Sequence, residues 1–191
     1  MKVVAFNGSP HAEGNTATVL RVALEALEGK GISTELVQIG GRFLHGCRAC
    51  YRCTELKNGH CVFDDDLANT CIDKMIEADG IIIGSPTYFA DITPETKALI
   101  DRAGYAIRSG GNLLRRKVGA AVVVERRAGS IHAFDSINHF FLIQEMIVPG
   151  STYWTMAVAR NQGDALQDAE GLRIMRDLGS NMAWLLKKLN A

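Results

Sequence analysis

No sign of charge dominates this chain. Lys plus Arg and Asp plus Glu each number 21, so the formal charge is zero, and there is no global field to draw the protein to nucleic acid or an anionic membrane. No apolar stretch approaches the roughly 18 residues of a membrane span. The opening Met1-Lys2-Val3-Val4-Ala5-Phe6 is too short for the apolar region of a signal peptide and runs into a turn. A cytoplasmic protein with no membrane or nucleic-acid partner is expected. The sequence also lacks a linker in its middle, an internal repeat and any low-complexity tract, so one domain spanning residues 1–191 is expected. With 47% hydrophobic residues it has material for a core, since a chain of this size buries roughly 70% of its unfolded surface. Cysteines are few, five in all, but four of them lie between positions 47 and 61. That crowding does not suit a secreted disulfide framework and does suit a metal site in a reducing compartment.

Short apolar runs alternate with helical periodicity along the chain. Val3 to Phe6 reads as a strand ending in Asn7-Gly8-Ser9-Pro10, and Val19, Leu20, Ala23 and Leu27 recur at helical spacing between Thr16 and Leu27. Ile32 to Ile39, Ile81 to Ile83, Val118 to Val124 and, more weakly, Thr152 to Val158 are further strand candidates. Asp64-Asp65-Asp66 offers a cap for a helix from Leu67, Thr93 with Pro94 and Glu95 starts another, and a last helix runs from about Asp168 to Leu189. Five strands alternating with helices predict a doubly wound α/β fold, a parallel sheet covered on both faces. Its ligand site belongs at the carboxyl ends of the strands, in the loops at residues 7–16, 86–91 and 125–131.

The first of these loops, Asn7 to Thr16, sits where free backbone N–H groups and a helix N-terminus favour an anion. Ser9, Asn15 and Thr16 can donate hydrogen bonds, while Gly8 and Gly14 let backbone come close. The loop lacks a P-loop lysine and the Gly-x-Gly-x-x-Gly spacing, so a monophosphate suits it better than a triphosphate or pyrophosphate. The residues alone also fit an ordinary turn that caps the helix.

Gly8-Ser9-Pro10, Gly14-Asn15-Thr16 and Gly84-Ser85-Pro86-Thr87-Tyr88-Phe89 resemble the NAD(P)H-dependent FMN reductase and iron–sulfur flavoprotein superfamily, across nearly the whole chain. The resemblance implies a flavodoxin-like sheet of order 2-1-3-4-5 and one bound FMN. It assigns Ser9, Asn15 and Thr16 to the FMN phosphate, with His11 and Gly14 also expected to bind the cofactor, Pro86, Thr87, Tyr88 and Phe89 to the isoalloxazine and ribityl, and Arg127, Ala128 and Gly129 to the pyrimidine end. The third loop, Glu125-Arg126-Arg127-Ala128-Gly129-Ser130, departs from the glycine-rich form expected of the family. An aromatic pair such as Tyr88-Phe89 suits a flavin wall and equally suits core packing.

Cys47, Cys50, Cys53 and Cys61 form a C-x2-C-x2-C-x7-C array in an insertion, about residues 43–66, after the second strand. Thiolates spaced by three, with a fourth beyond the Asn58-Gly59 turn, are the kind of set that holds an Fe–S cluster. The array resembles that of iron–sulfur flavoproteins, which implies one [4Fe–4S] cluster beside FMN. Zinc and free or redox-active thiols remain alternatives, although structural zinc sites more often use two separated C-x2-C pairs. Arg48 and Arg52 either offset an anionic cluster or face solvent, His60 is expected to be exposed, and Cys71 reads as a small buried hydrophobe. No side chain need act as acid or base when cofactors carry the chemistry, so no catalytic residue is named. Three functions follow: electron transfer between a reduced donor and an acceptor through FMN and cluster, an NAD(P)H-dependent FMN or quinone reductase without a cluster, or a zinc-stabilised non-catalytic module. The partners expected are NAD(P)H or a redox protein, and the resemblance implies a homodimer or homotetramer.

Overall fold

The computed structural model describes residues 1–190, and Ala191, the end of the expected 1–191 domain, lies outside the described residues. Five strands, β1 (Lys2–Asn7), β2 (Ser33–Gln38), β3 (Gly80–Pro86), β4 (Val118–Glu125) and β5 (Met156–Val158), form one sheet. All neighbours are parallel and the order is β2-β1-β3-β4-β5, the flavodoxin-like order. The central β3 and β4 are buried on both faces, which is why Ile81-Ile82-Ile83 and Val122-Val123-Val124 read as unbroken apolar runs. Edge strand β2, Ser-Thr-Glu-Leu-Val-Gln, is only partly buried and mixes polar with apolar residues.

Alternation along the strands divides the core in two. Val3, Ala5, Ile82 and Val122 meet α1 (Asn15–Glu28) and α6 (Ala169–Leu189) on one face. Val4, Phe6, Ile81, Ile83 and Ala121 meet α3 (Ala68–Glu77), α4 (Pro94–Ser109) and α5 (Ser130–Ile143) on the other. A single helical turn, α2 (Arg52–Leu56), lies within the cysteine-rich insertion, which follows β2 as expected. No described helix is long and apolar enough to cross a membrane.

The helix starts show how sequence becomes position. Thr93 accepts from the Thr96 N–H and donates to the Gly8 carbonyl at 2.8 Å, so the cap that begins α4 also anchors the first loop. Asp168 caps α6 through the Gly171 N–H at 2.9 Å. At α3 only one of the three aspartates serves: Asp66 accepts from the Ala68 N–H at 2.9 Å, and the helix begins one residue later than expected. The expected fifth strand shortens to three residues, because Tyr153 and Trp154 stand half exposed against each other rather than in the sheet. Helix α5 is absent from the sequence reading, although Ala133, Ile137, Phe140 and Phe141, all buried, recur at helical spacing.

Candidate functional site

At the carboxyl edge of the sheet a cleft of about 310 Å³ is lined by Ser9, His11, Gly14, Asn15 and Thr16, by Pro86, Thr87 and Tyr88, by Val124 and Arg126, and by Ala159, Arg160 and Gln162. Its floor is the start of α1. Gly14 takes the cap position, no side chain caps the helix, and no acidic residue occupies the first turn. The first N–H groups therefore carry their partial positive charge without a side-chain partner. Ser9 and Thr16 are almost fully buried beside them. Ser9 is held from three directions: its N–H donates to Asn7 Oδ1 at 3.1 Å, its Oγ accepts from the His11 N–H at 3.2 Å, and its carbonyl accepts from Gln38 at 2.6 Å. Gly8 is required by contact, since a Cβ there would stand 2.0 Å from Thr96 Oγ1 and 2.8 Å from the Gly84 carbonyl.

Asn15 has a second task that the sequence did not suggest. Its amide oxygen accepts from the Gly163 and Ala165 N–H groups at 3.0 and 3.2 Å, and its nitrogen donates to the Asn161 carbonyl at 2.7 Å. Together with Gln162, which donates to the Glu13 carbonyl at 3.1 Å, it straps the segment after β5 against the first loop. That strap brings Arg160 and Gln162 to the cleft, and Arg126 joins them from the end of β4. None of these three was singled out from sequence, where the third loop was centred on Arg127.

The second loop supplies a buried hydroxyl and a strained turn. Thr87 Oγ1 is buried without a hydrogen-bond partner, and its N–H is fixed to the Val124 carbonyl at 2.8 Å. Tyr88 and Asp91 exchange backbone bonds of 2.7 and 3.0 Å across Phe89 and Ala90, both left-handed with φ of 48° and 65°. Two non-glycine residues in that conformation cost of order 1–3 kcal/mol each and persist where the surroundings over-determine them. Phe89 consequently stands fully exposed at the tip and does not line the cleft; nor do Arg127, Ala128 and Gly129. Gly129, at φ of 96°, caps α5, and a Cβ there would stand 2.9 Å from the Ala90 Cα. Below the turn, partial burial works against ionisation of Asp91, but bonds from the Ile92 N–H and Ser136 Oγ, with His132 nearby, outweigh it and hold the carboxyl below its ordinary value.

The four clustered cysteines come together on a second, more enclosed cavity of about 80 Å³. Cys47 and Cys50 are exposed on its outer side, and Cys53 and Cys61 are half-buried within. Left-handed Ala49, Tyr51 and Lys57 (φ 49°, 58° and 51°) wrap the chain around α2, while Asn69 fixes Cys61 through two 2.9 Å bonds to its backbone. Burial pushes the Cys53 thiol up, and Cys61 and Cys50 add to the effect, against a hydrogen bond with Ser109. Arg48 lines the cavity and stacks 4.2 Å from the Phe63 ring; Arg52 is paired outward with Glu55. His60 bonds Asp73 at 2.6 Å and does not line the cavity. Cys71 lies apart, buried, its thiol pushed up to about 12 mainly by that burial.

Among the described residues, His45, Asp65 and Asp66 alone bring three ligand-type atoms within 4.8 Å of one another, and that group is already engaged: His45 Nε2 lies 3.2 Å from Asp65, and Asp66 pairs with Arg102. No three cysteine sulfurs approach so closely.

Comparison with known proteins agrees with this geometry. The family model described as NADPH-dependent FMN reductase matches residues 1–161. An iron-sulfur flavoprotein of Methanocaldococcus jannaschii is 40% identical over 194 residues, covering 98% of each chain. Among solved structures, a flavodoxin from the domain Archaea matches with a TM-score of 0.63 at 18% identity, over 98% of this chain and 99% of that one. RosB with a bound intermediate matches with a TM-score of 0.76 at 16% identity, over all of this chain and 80% of that one. Matched by the family model over most of its length and by an iron-sulfur flavoprotein nearly end to end, the chain belongs to the NADPH-dependent FMN reductase family.

Proposed function

We propose that this protein is an FMN-binding oxidoreductase of the iron–sulfur flavoprotein type, moving electrons between a reduced donor and an acceptor through FMN in the cleft and a [4Fe–4S] cluster on Cys47, Cys50, Cys53 and Cys61. The observation that carries it is the convergence of all four cysteines on one enclosed cavity. FMN fits the cleft on independent grounds: an uncapped helix start, buried Ser9 and Thr16 beside it, and the unpartnered Thr87 hydroxyl.

In this reading the flavin supplies two-electron chemistry and the cluster one-electron chemistry. The chain's own residues bind and orient. The first N–H groups of α1, with Ser9 and Thr16, take the phosphate. Pro86, Thr87 and Tyr88 wall the cleft, and Thr87 Oγ1, which has no partner within the protein, would be free to bond a group held there. Arg126 and Arg160 offer charge to an anionic donor such as NAD(P)H, or to a redox protein. No general acid or base is assigned. A homodimer or homotetramer would bring one subunit's cluster toward another's flavin.

A second reading, an NAD(P)H-dependent FMN or quinone reductase without a cluster, is supported by the family description itself. The test separates them: iron, acid-labile sulfide and flavin are measured on protein purified without oxygen. About four irons per FMN, lost on Cys→Ser substitution at 47, 50, 53 or 61 but kept in Cys71→Ala, supports the cluster reading. FMN without iron leaves the reductase, and a colourless protein holding zinc leaves the non-catalytic module.

A further inference from the structure

Arg102 is the largest fully buried side chain in the protein. It projects from the middle of α4 and lines the four-cysteine cavity. Its guanidinium ties both flanks of the cysteine segment to the core: Nη1 reaches the Asp66 carboxylate and, at 3.5 Å, the His45 carbonyl, and Nη2 donates to the Phe63 carbonyl at 2.7 Å. Those bonds account for a structural anchor. They leave Nε, which is buried and has no hydrogen-bond partner. A buried N–H left unpaired keeps its full desolvation cost, and native structures hold few of them.

His45, Arg48, Tyr51 and Tyr105 line the cavity with Arg102. Val62, Phe63 and Ala106 make part of its wall apolar, a setting in which a single N–H is electrostatically strong. The group proposed for this cavity is anionic and rich in sulfur acceptors, and hydrogen bonds to those sulfurs are among the factors that set a cluster's potential.

We infer that Arg102 is a positioning residue for the cluster, donating its Nε–H to a cluster sulfur or cysteine thiolate while its other nitrogens fix the loop. The inference rests on the cluster reading above. Arginine, and not lysine, meets both demands, because the planar fork holds the loop on two nitrogens and presents the third elsewhere.

The test uses holoprotein purified without oxygen from cells fed arginine labelled with 15N at Nε. Electron spin echo modulation on the reduced cluster should show a 15N coupling that is lost in Arg102→Lys and persists in Arg48→Lys, whose guanidinium stacks on Phe63. The midpoint potential of the cluster should fall in Arg102→Lys, since a hydrogen bond to sulfur favours the more negative, reduced state. Should Arg102→Lys fail to fold, the coupling in the wild type and its persistence in Arg48→Lys still decide the matter. A fully loaded cluster with no 15N coupling overturns the inference and leaves the cluster reading standing. Wild-type protein without iron and sulfide overturns both.

Discussion

Replacing Asp66 by Asn should cost this protein about 3–5 kcal/mol of stability, the usual penalty for breaking a buried ion pair from one side. The Asp66 side chain has no solvent exposure and that of Arg102 has 1%. One carboxylate oxygen accepts from the Ala68 N–H at 2.9 Å, while the other accepts from the His45 N–H at 3.0 Å and from Arg102. Asn is nearly isosteric, but its NH2 must face a donor on one side or the other, and the Arg102 charge is left without a counter-ion. For a chain of this size each kcal/mol shifts the melting temperature by roughly 2–4 °C, so a fall of about 6–20 °C is expected. Urea unfolding of reduced, metal-free protein should show a lower midpoint with an unchanged slope. The double substitution Asp66→Leu with Arg102→Met should recover most of the loss. The sign with pH follows from the carboxyl itself. Burial works against its ionisation, but the Ala68 and His45 N–H groups and Arg102 outweigh that and hold it below the ordinary carboxylate range. The stabilisation is therefore fully present above about pH 4, near the unfolded value, and is lost as pH falls through the depressed folded value. The gap between wild type and Asp66→Asn should close in that acid range. A loss under 1 kcal/mol at pH 7 would refute the argument.

Thr87→Val should weaken FMN binding by about 5–10-fold, the worth of one hydrogen bond, without lowering the melting temperature of flavin-free protein, because Oγ1 has no partner to lose; unchanged affinity in a flavin titration counts against its role. Gly8→Ala should destabilise by about 1–3 kcal/mol through overpacking, read by thermal unfolding, since its Cβ would meet Thr96 and the Gly84 carbonyl. Asn15→Ala should cost about 1–3 kcal/mol through the buried or half-buried groups it leaves unpaired. It should also speed amide exchange at Gly163 and Ala165, and protection left intact there would show that something else holds the segment after β5.

Local pattern carried much of this protein into view. The apolar runs of β1, β3 and β4, the Thr93-Pro94 start of α4 and the C-x2-C-x2-C-x7-C spacing are properties of neighbouring residues, legible because strand and helix periods repeat over a few positions. A parallel sheet follows from their alternation, and the cleft from the rule that ligands sit beyond its carboxyl edge. Helix α5 has its signal in Ala133, Ile137, Phe140 and Phe141, but no capping side chain and no acidic first turn mark where it starts.

Other features were beyond any local pattern, because they are contacts between residues far apart in the chain. Asn15 meets Gly163 across 148 positions, which gives an expected phosphate donor a second task as a strap and carries Arg160 and Gln162 to the cleft. Arg102 meets Asp66 across 36 positions; in the sequence it is one more charged residue on an amphipathic helix, and only packing shows it buried beneath the cysteines. Spacing by itself determined that four thiols lie near one another. Their gathering on one cavity, lined also by Arg102 with its unpaired Nε–H, was decided by how α4 and the insertion pack, since hydrogen-bond satisfaction is a property of the assembled interior.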